Sequence, residues 1–200
     1  NKVALASPWI WVTLIKAKVA SNTGHSLLAA SGRYKIANAL MLKAAWLCCV
    51  LGGINYGLPA LAAMFALSFW QGELRGDTPF VIALALIGLC LDTFWMYVGV
   101  LDYGSAALTL LPGVSLAPVW IIMLWLAVGL SIRHSLIFLV NRPVLGALLV
   151  GGGAPLSYLT GERFGAVTIP SIQGLVVLAL VWVLLFFFVF SRAKSRLTAE

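Results

Sequence analysis

Of the 200 residues, 62% are hydrophobic and only 10% are charged, and the mean hydropathy is +1.04. A water-soluble domain carries roughly 25% charged residues and could not hide so much apolar surface, so lipid is the solvent that fits. The net charge of +7 does not mark a nucleic-acid partner, because the basic residues sit at the chain ends and in alternate loops rather than in one patch.

Taken in chain order, the first element is a short apolar run, residues 3–15 (VALASPWIWVTLI), with Lys16 and Lys18 behind it. A bilayer crossing takes about 20 residues, and a signal peptide carries its charge in front of the apolar run. Residues 1–35 are therefore read as an N-terminal segment, either interfacial or not part of the native chain. Six apolar runs follow, over about 36–53, 57–71, 79–100, 114–131, 143–161 and 171–191. Each is read as a helix, because in hydrocarbon every backbone N–H and C=O must be satisfied within its own segment. The fold class expected is all-α, a polytopic transmembrane bundle of about six spans over residues 36–191. Only Ile54, Asn55, Tyr56 and Gly57 separate the first two runs, which predicts a tight helical hairpin.

Residues 131–143 (SIRHSLIFLVNRP) place Arg133, His134, Asn141 and Arg142 around a short apolar run. Two readings stand, an amphipathic cytoplasmic helix whose Arg133, His134 and Arg142 contact anionic headgroups, or a continuation of span four. In span five, Pro155 removes one helical bond beside Gly151, Gly152 and Gly153, which predicts a kink or an unwound stretch. Gly153, Ser157 and Gly161 give that span a stripe of small residues. The chain closes on a basic tail, residues 192–200. Six spans with both ends in the cytoplasm put eleven basic residues inside and leave only Arg163 outside, with Lys43 within a span.

Ionisable groups inside spans are the clearest candidates for function, since a carboxylate near the bilayer centre costs at least about 2.5–3.5 kcal/mol. Asp92 is that residue. Gly88, Asp92, Trp95 and Gly99 recur at helical spacing and share a face, so Asp92 should point into the bundle. Lys43 lies at a depth from which its stem could reach Asp92 as an ion pair; the alternative has it snorkelling to the interface. The topology brings Asp92, Trp95, Trp120, Ser157 and Tyr158 to similar depth in the outer half. They are read either as a polar cavity or as packing residues. Cys48, Cys49 and Cys90 all sit in apolar runs and read as small buried hydrophobes. No HExxH, GxSxG, P-loop or metal-ligand set is present, so no catalytic residue, metal or cofactor is assigned.

The stretches AWLCCVLGG (45–53), LDTFWMYVGVLDY (91–103), LAPVWIIMLWLAVGLSIRHSL (116–136) and NRPVLGALLVGGGAPLSYLTGERFGAV (141–167) occur in the order seen in the domain of unknown function 2878. From Ala45 onward the chain resembles that family of bacterial inner-membrane proteins. It departs from the family pattern at Thr93, at Arg133 and at Lys43, where a neutral polar residue is usual. The resemblance implies a multi-pass protein of the bacterial inner membrane, encoded near enzymes that modify membrane fatty acids. Three functions are carried forward. The first is an accessory to lipid modification or envelope maintenance, with membrane lipids and lipid-modifying enzymes as partners. The second is a small carrier using Asp92 as a proton or cation site. The third is an intramembrane enzyme using Asp92 with Tyr158 or Ser157. Oligomeric state is not legible in the sequence.

Overall fold

The computed structural model describes residues 9–198, with side chains from residue 32 onward. The chain divides into two units, residues 1–37 and 38–200. Helix α1 (Trp9–Trp70) begins in the first. Of the interfacial segment expected within residues 1–35, the side chains of residues 1–31 lie outside the described ones.

Among the described residues, four helical runs are long and apolar enough to cross a membrane: Gly32–Trp70, Leu74–Tyr97, Pro143–Arg163 and Ile172–Leu197. Their outward faces carry large apolar side chains such as Leu86, Leu148, Leu156, Val176 and Leu184, the surface that a hydrocarbon solvent favours. The chain is helical and apolar as expected, but its six apolar segments do not become six equal helices.

The first two segments are arms of one run that bends at Gly53 (φ 54, ψ −132), a backbone conformation that L side chains rarely adopt. A Cβ on Gly57 would lie 3.5 Å from the Cα of Cys49. A straight helix would hold residues eight apart at about 12 Å, so the arms fold back on one another. Gly57 and the sulfur of Cys49 are what let them approach.

Helix α2 (Leu74–Tyr97) starts five residues earlier than the apolar run suggested and so takes in Asp77, ahead of Pro79. After it come a single 3-10 turn (Gly104–Ala106) and a feature foreign to an all-α fold. Strands β1 (Leu108–Leu111) and β2 (Val114–Leu116) pair antiparallel, with Leu108 opposite Leu116 and Thr109 opposite Ser115. Pro112 followed by Gly113 at φ 79 supplies the turn. Residues 114–116, read from sequence as the start of span four, are thus strand.

What remains of that span is helix α3 (Val119–Gly129), 11 residues long. At about 16 Å it falls short of the roughly 30 Å hydrocarbon core. Beyond it the chain winds irregularly: Ser131 N–H donates to Val128 O at 2.9 Å and Leu136 N–H to Ser131 O at 2.9 Å. A single helical turn, α4 (Ile137–Val140), follows. Leu130, Ser131 and Ile132 are fully buried. Neither of the two readings of 131–143, a cytoplasmic amphipathic helix or a continuation of span four, describes the inward-facing irregular segment, followed by one helical turn, that forms. Its polar side chains have partners on α1 and α2, and those contacts outweigh helical periodicity.

Of the kink or unwound stretch expected at Gly151–Gly153, the unwound stretch does not form. Helix α5 (Pro143–Arg163) runs continuously through Pro155. It packs along α6 (Ile172–Leu197); a Cβ on Gly151 would sit 2.6 Å from the backbone nitrogen of Val183. The glycine serves this close approach, and the neighbouring helix supports the segment that proline weakens. Helix α6 extends through Arg192, Lys194 and Arg196 to Leu197, so most of the basic tail is helix.

Candidate functional site

Six buried residues line the inward face of α2: Asp77, Val81, Leu84, Gly88, Asp92 and Trp95. Their spacing of three or four keeps them on one side of a helix. Two of the six are carboxylic acids, fifteen positions apart and so about 22 Å along the axis. Each is fully buried, and each has drawn a set of polar partners around it.

Asp92 is the centre of the first cluster. The Tyr103 hydroxyl donates to its Oδ1 at 2.9 Å and the Tyr158 hydroxyl to the same oxygen at 2.8 Å. The indole Nε1 of Trp125 donates to Oδ2 at 2.7 Å. The three donors come from the loop after α2, from α5 and from α3, so one carboxyl joins three elements. Gly88 makes this arrangement possible, because any side chain there would occupy the space taken by the Trp125 ring. Trp125 in turn stacks on Trp182 of α6, with centroids 4.9 Å apart, and Trp182 stacks on Phe186 at 5.4 Å.

Tyr103 is placed by backbone contacts. Val100 and Leu101 N–H both donate to Trp95 O, and Asp102 exchanges backbone bonds with Thr168 at 2.9 and 2.7 Å. The Tyr103 ring meets Trp120 edge to face at 5.7 Å. Burial, then the adjacent Asp92, pushes the Tyr103 hydroxyl well above the usual tyrosine range. It therefore stays a donor.

Of the residues singled out from sequence, Asp92 and Tyr158 are bonded together and Trp120 stands one ring away, behind Tyr103. Trp95 is buried on the same helix face; its Nε1 is buried with no protein hydrogen-bond partner. Ser157 is exposed and donates back to Gly153 O at 3.3 Å, so it does not join Tyr158 at Asp92. Lys43 is exposed, and the Asp92–Lys43 ion pair is not formed: both carboxyl oxygens are occupied by neutral donors. Asp92 is closed to solvent, a packed polar joint where a cavity had been one reading. Tyr103 and Trp125 were missed. Helical spacing could not pair either with Asp92, since Tyr103 lies beyond the end of α2 and Trp125 on another helix, although both lie in the stretches that carry the family resemblance.

The second cluster is built on Asp77. Ser68 of α1 donates its hydroxyl to Oδ2 at 2.7 Å, and His134 Nε2 lies 3.0 and 2.9 Å from the two carboxyl oxygens. His134 is 5% exposed and faces the bundle. The neighbouring side chains act alike. Arg133 pairs with Glu73 at 3.3 Å, lying over Gly76. Ser135 donates its hydroxyl to Asn38 Oδ1 at 2.6 Å, while Asn38 Nδ2 donates to Leu130 O at 3.1 Å. Three consecutive residues thus pin the irregular segment to α1 and α2. Of the three expected headgroup contacts, Arg133 and His134 are engaged inside the protein, while Arg142 is exposed over the Phe138 ring at 4.7 Å. Asp77 could have been noticed from its helical spacing to Val81 and Leu84 had the helix start been set earlier.

The basic residues gather at this end of the bundle. Lys194 donates at 3.2 Å to the carbonyl oxygen of Asn141, the residue before Arg142, and Arg196 lies over the Phe80 ring of α2 at 5.8 Å.

A family model described as Protein of unknown function (DUF2878) matches residues 35–188. No curated protein and no solved structure matches the chain.

Proposed function

The chain belongs to the DUF2878 family, and from that premise we propose that it is a multi-pass protein of the bacterial inner membrane that serves lipid modification or envelope maintenance by binding lipid or a partner enzyme. The observation that carries this reading is the saturation of Asp92. Its two oxygens accept three protein donors and are sealed from solvent. A general acid or base must reach the proton it moves, and a carboxyl so enclosed serves better as a joint. Contact with the membrane then falls to the outward apolar faces and to the basic end, which also favours cytoplasmic termini. The test is lipidomics by native mass spectrometry on gently extracted protein, with membrane fatty-acid profiles of a deletion strain. A defined lipid class retained by both wild type and Asp92→Asn, with the altered profile restored by either, is expected. Bulk phospholipid only, with an unchanged profile, would end the lipid reading.

A second reading, a proton-coupled carrier, is favoured by the Asp77–His134 pair beside a buried irregular backbone, since carriers build ion sites where a helix is interrupted inside protein. Proton uptake by proteoliposomes that disappears in Asp77→Asn would select it.

A further inference from the structure

We propose that the β1–β2 hairpin is a membrane-inserted ribbon, lying in the interfacial layer of the bilayer at the end of the bundle opposite the basic residues. Its occupant is a lipid surface. The inference rests on the bundle being embedded in a membrane and adds to it an element that does not span.

The chemistry of the hairpin is wrong for water. No charged residue occurs between Asp102 and Arg133. Leu108, Leu110, Leu111 and Val114 are all exposed, Leu111 by 64%. A lone two-stranded ribbon is marginal in water, and edges that face water are normally guarded by charge, commonly lysine. This ribbon has neither a third strand nor a charge. The hydrocarbon core is equally wrong, because unpaired strand edges do not occur there. The headgroup and upper acyl region satisfies both demands, taking apolar side chains while leaving water for the backbone.

Position agrees with composition. Ser115 N–H donates to the Tyr97 hydroxyl at 3.3 Å, and Ala117 N–H donates to Thr93 Oγ1 at 3.0 Å. The returning strand is therefore tied to the last two turns of α2. Those turns present Phe94, Tyr97 and Val98 outward, each about half exposed. Aromatic rings at the end of a membrane helix mark the interface, and the leucines of the hairpin continue that surface. The other strand leads back to Tyr103, whose hydroxyl is held by Asp92. The ribbon is thus anchored at its base and free of protein cover on its leucine-rich faces.

The test uses full-length protein in phosphatidylethanolamine/phosphatidylglycerol vesicles. Single cysteines replace Leu110 and Leu111 after Cys48, Cys49 and Cys90 are changed to alanine, and each carries a nitroxide. Leu184→Cys serves as the span control and Ser195→Cys as the aqueous control. Collision rates with oxygen and with a nickel chelate give depth. Oxygen-to-nickel ratios for the hairpin labels several times that at Ser195, but below that at Leu184, are expected. Ratios equal to that at Ser195, with Leu184 still lipid-exposed, overturn the hairpin proposal alone; an aqueous Leu184 overturns the membrane reading itself. Protection from both reagents means protein cover, such as a second copy, and also overturns it. The unmodified chain supplies an independent check: photoactivatable lipids bearing the reactive group near the headgroup should cross-link within residues 104–117, and cross-links confined to the helices would refute the proposal.

Discussion

Replacing Asp92 by alanine removes one acceptor group and strands three donors at once: the hydroxyls of Tyr103 and Tyr158 and the indole N–H of Trp125. Interhelical hydrogen bonds in membrane proteins average about 0.6 kcal/mol by double-mutant cycle, which sets a floor near 2 kcal/mol for the three. Leaving buried donors unsatisfied costs about 1–3 kcal/mol each, though the two tyrosines can partly satisfy one another. The loss expected for Asp92→Ala is about 2–5 kcal/mol, a large share of the roughly 5–15 kcal/mol that holds a domain together. Asp92→Asn should behave differently. Its amide oxygen can accept from Trp125 while its two N–H groups donate to the tyrosine hydroxyls, which accept as readily as they donate. All three contacts survive, and the expected loss is that of exchanging one acceptor group for another, about 1 kcal/mol. Reversible unfolding in mixed micelles, followed by tryptophan fluorescence, measures both variants. An alanine variant within about 1 kcal/mol of wild type, or an asparagine variant falling as far as alanine, would refute the idea that Asp92 is a saturated joint.

Gly88→Ala should displace the Trp125 ring from the space it occupies and cost about 1–3 kcal/mol, seen as a lower unfolding midpoint. His134→Ala leaves the buried Asp77 with the Ser68 hydroxyl still donating and should cost about 1–3 kcal/mol in the same assay, as for a buried polar group that loses a hydrogen bond. Lys43→Leu, at an exposed position, should instead stay within about 0.5 kcal/mol of wild type. Because the Tyr103 hydroxyl is held above its ordinary value of about 10, the folded state keeps a proton that the unfolded chain releases. Its contribution is complete below that pH and fades above it. Melting temperatures against pH should therefore fall less steeply on the alkaline side for Tyr103→Phe than for wild type.

Composition pointed to lipid as the solvent. Long apolar runs without the short alternation of barrel strands made helices the expected spanning elements, because an apolar medium obliges the backbone to pair internally. The β1–β2 hairpin was not legible. The inward direction of Asp92 was, since the helical spacing of Gly88, Asp92 and Trp95 is a local property of α2. The fold-back of the first two segments could be read from the short polar interval between them, with Gly53 as the residue that permits the turn. Local pattern did not reveal partnership. The donors on Asp92 lie 11, 33 and 66 residues away, and His134 lies 57 from Asp77, all beyond the end of α2, where its helical spacing no longer applies. Nor did it locate the interrupted helix. Glycine and proline pointed to span five, where the helix packs closely against α6 and stays continuous. The break falls instead at 130–136, a stretch with neither residue, because Arg133, His134 and Ser135 gain more from Glu73, Asp77 and Asn38 than a regular helix would return. Breaker residues set only a local tendency; the sum of buried polar contacts, which exists only once the bundle is assembled, decides where the backbone gives way.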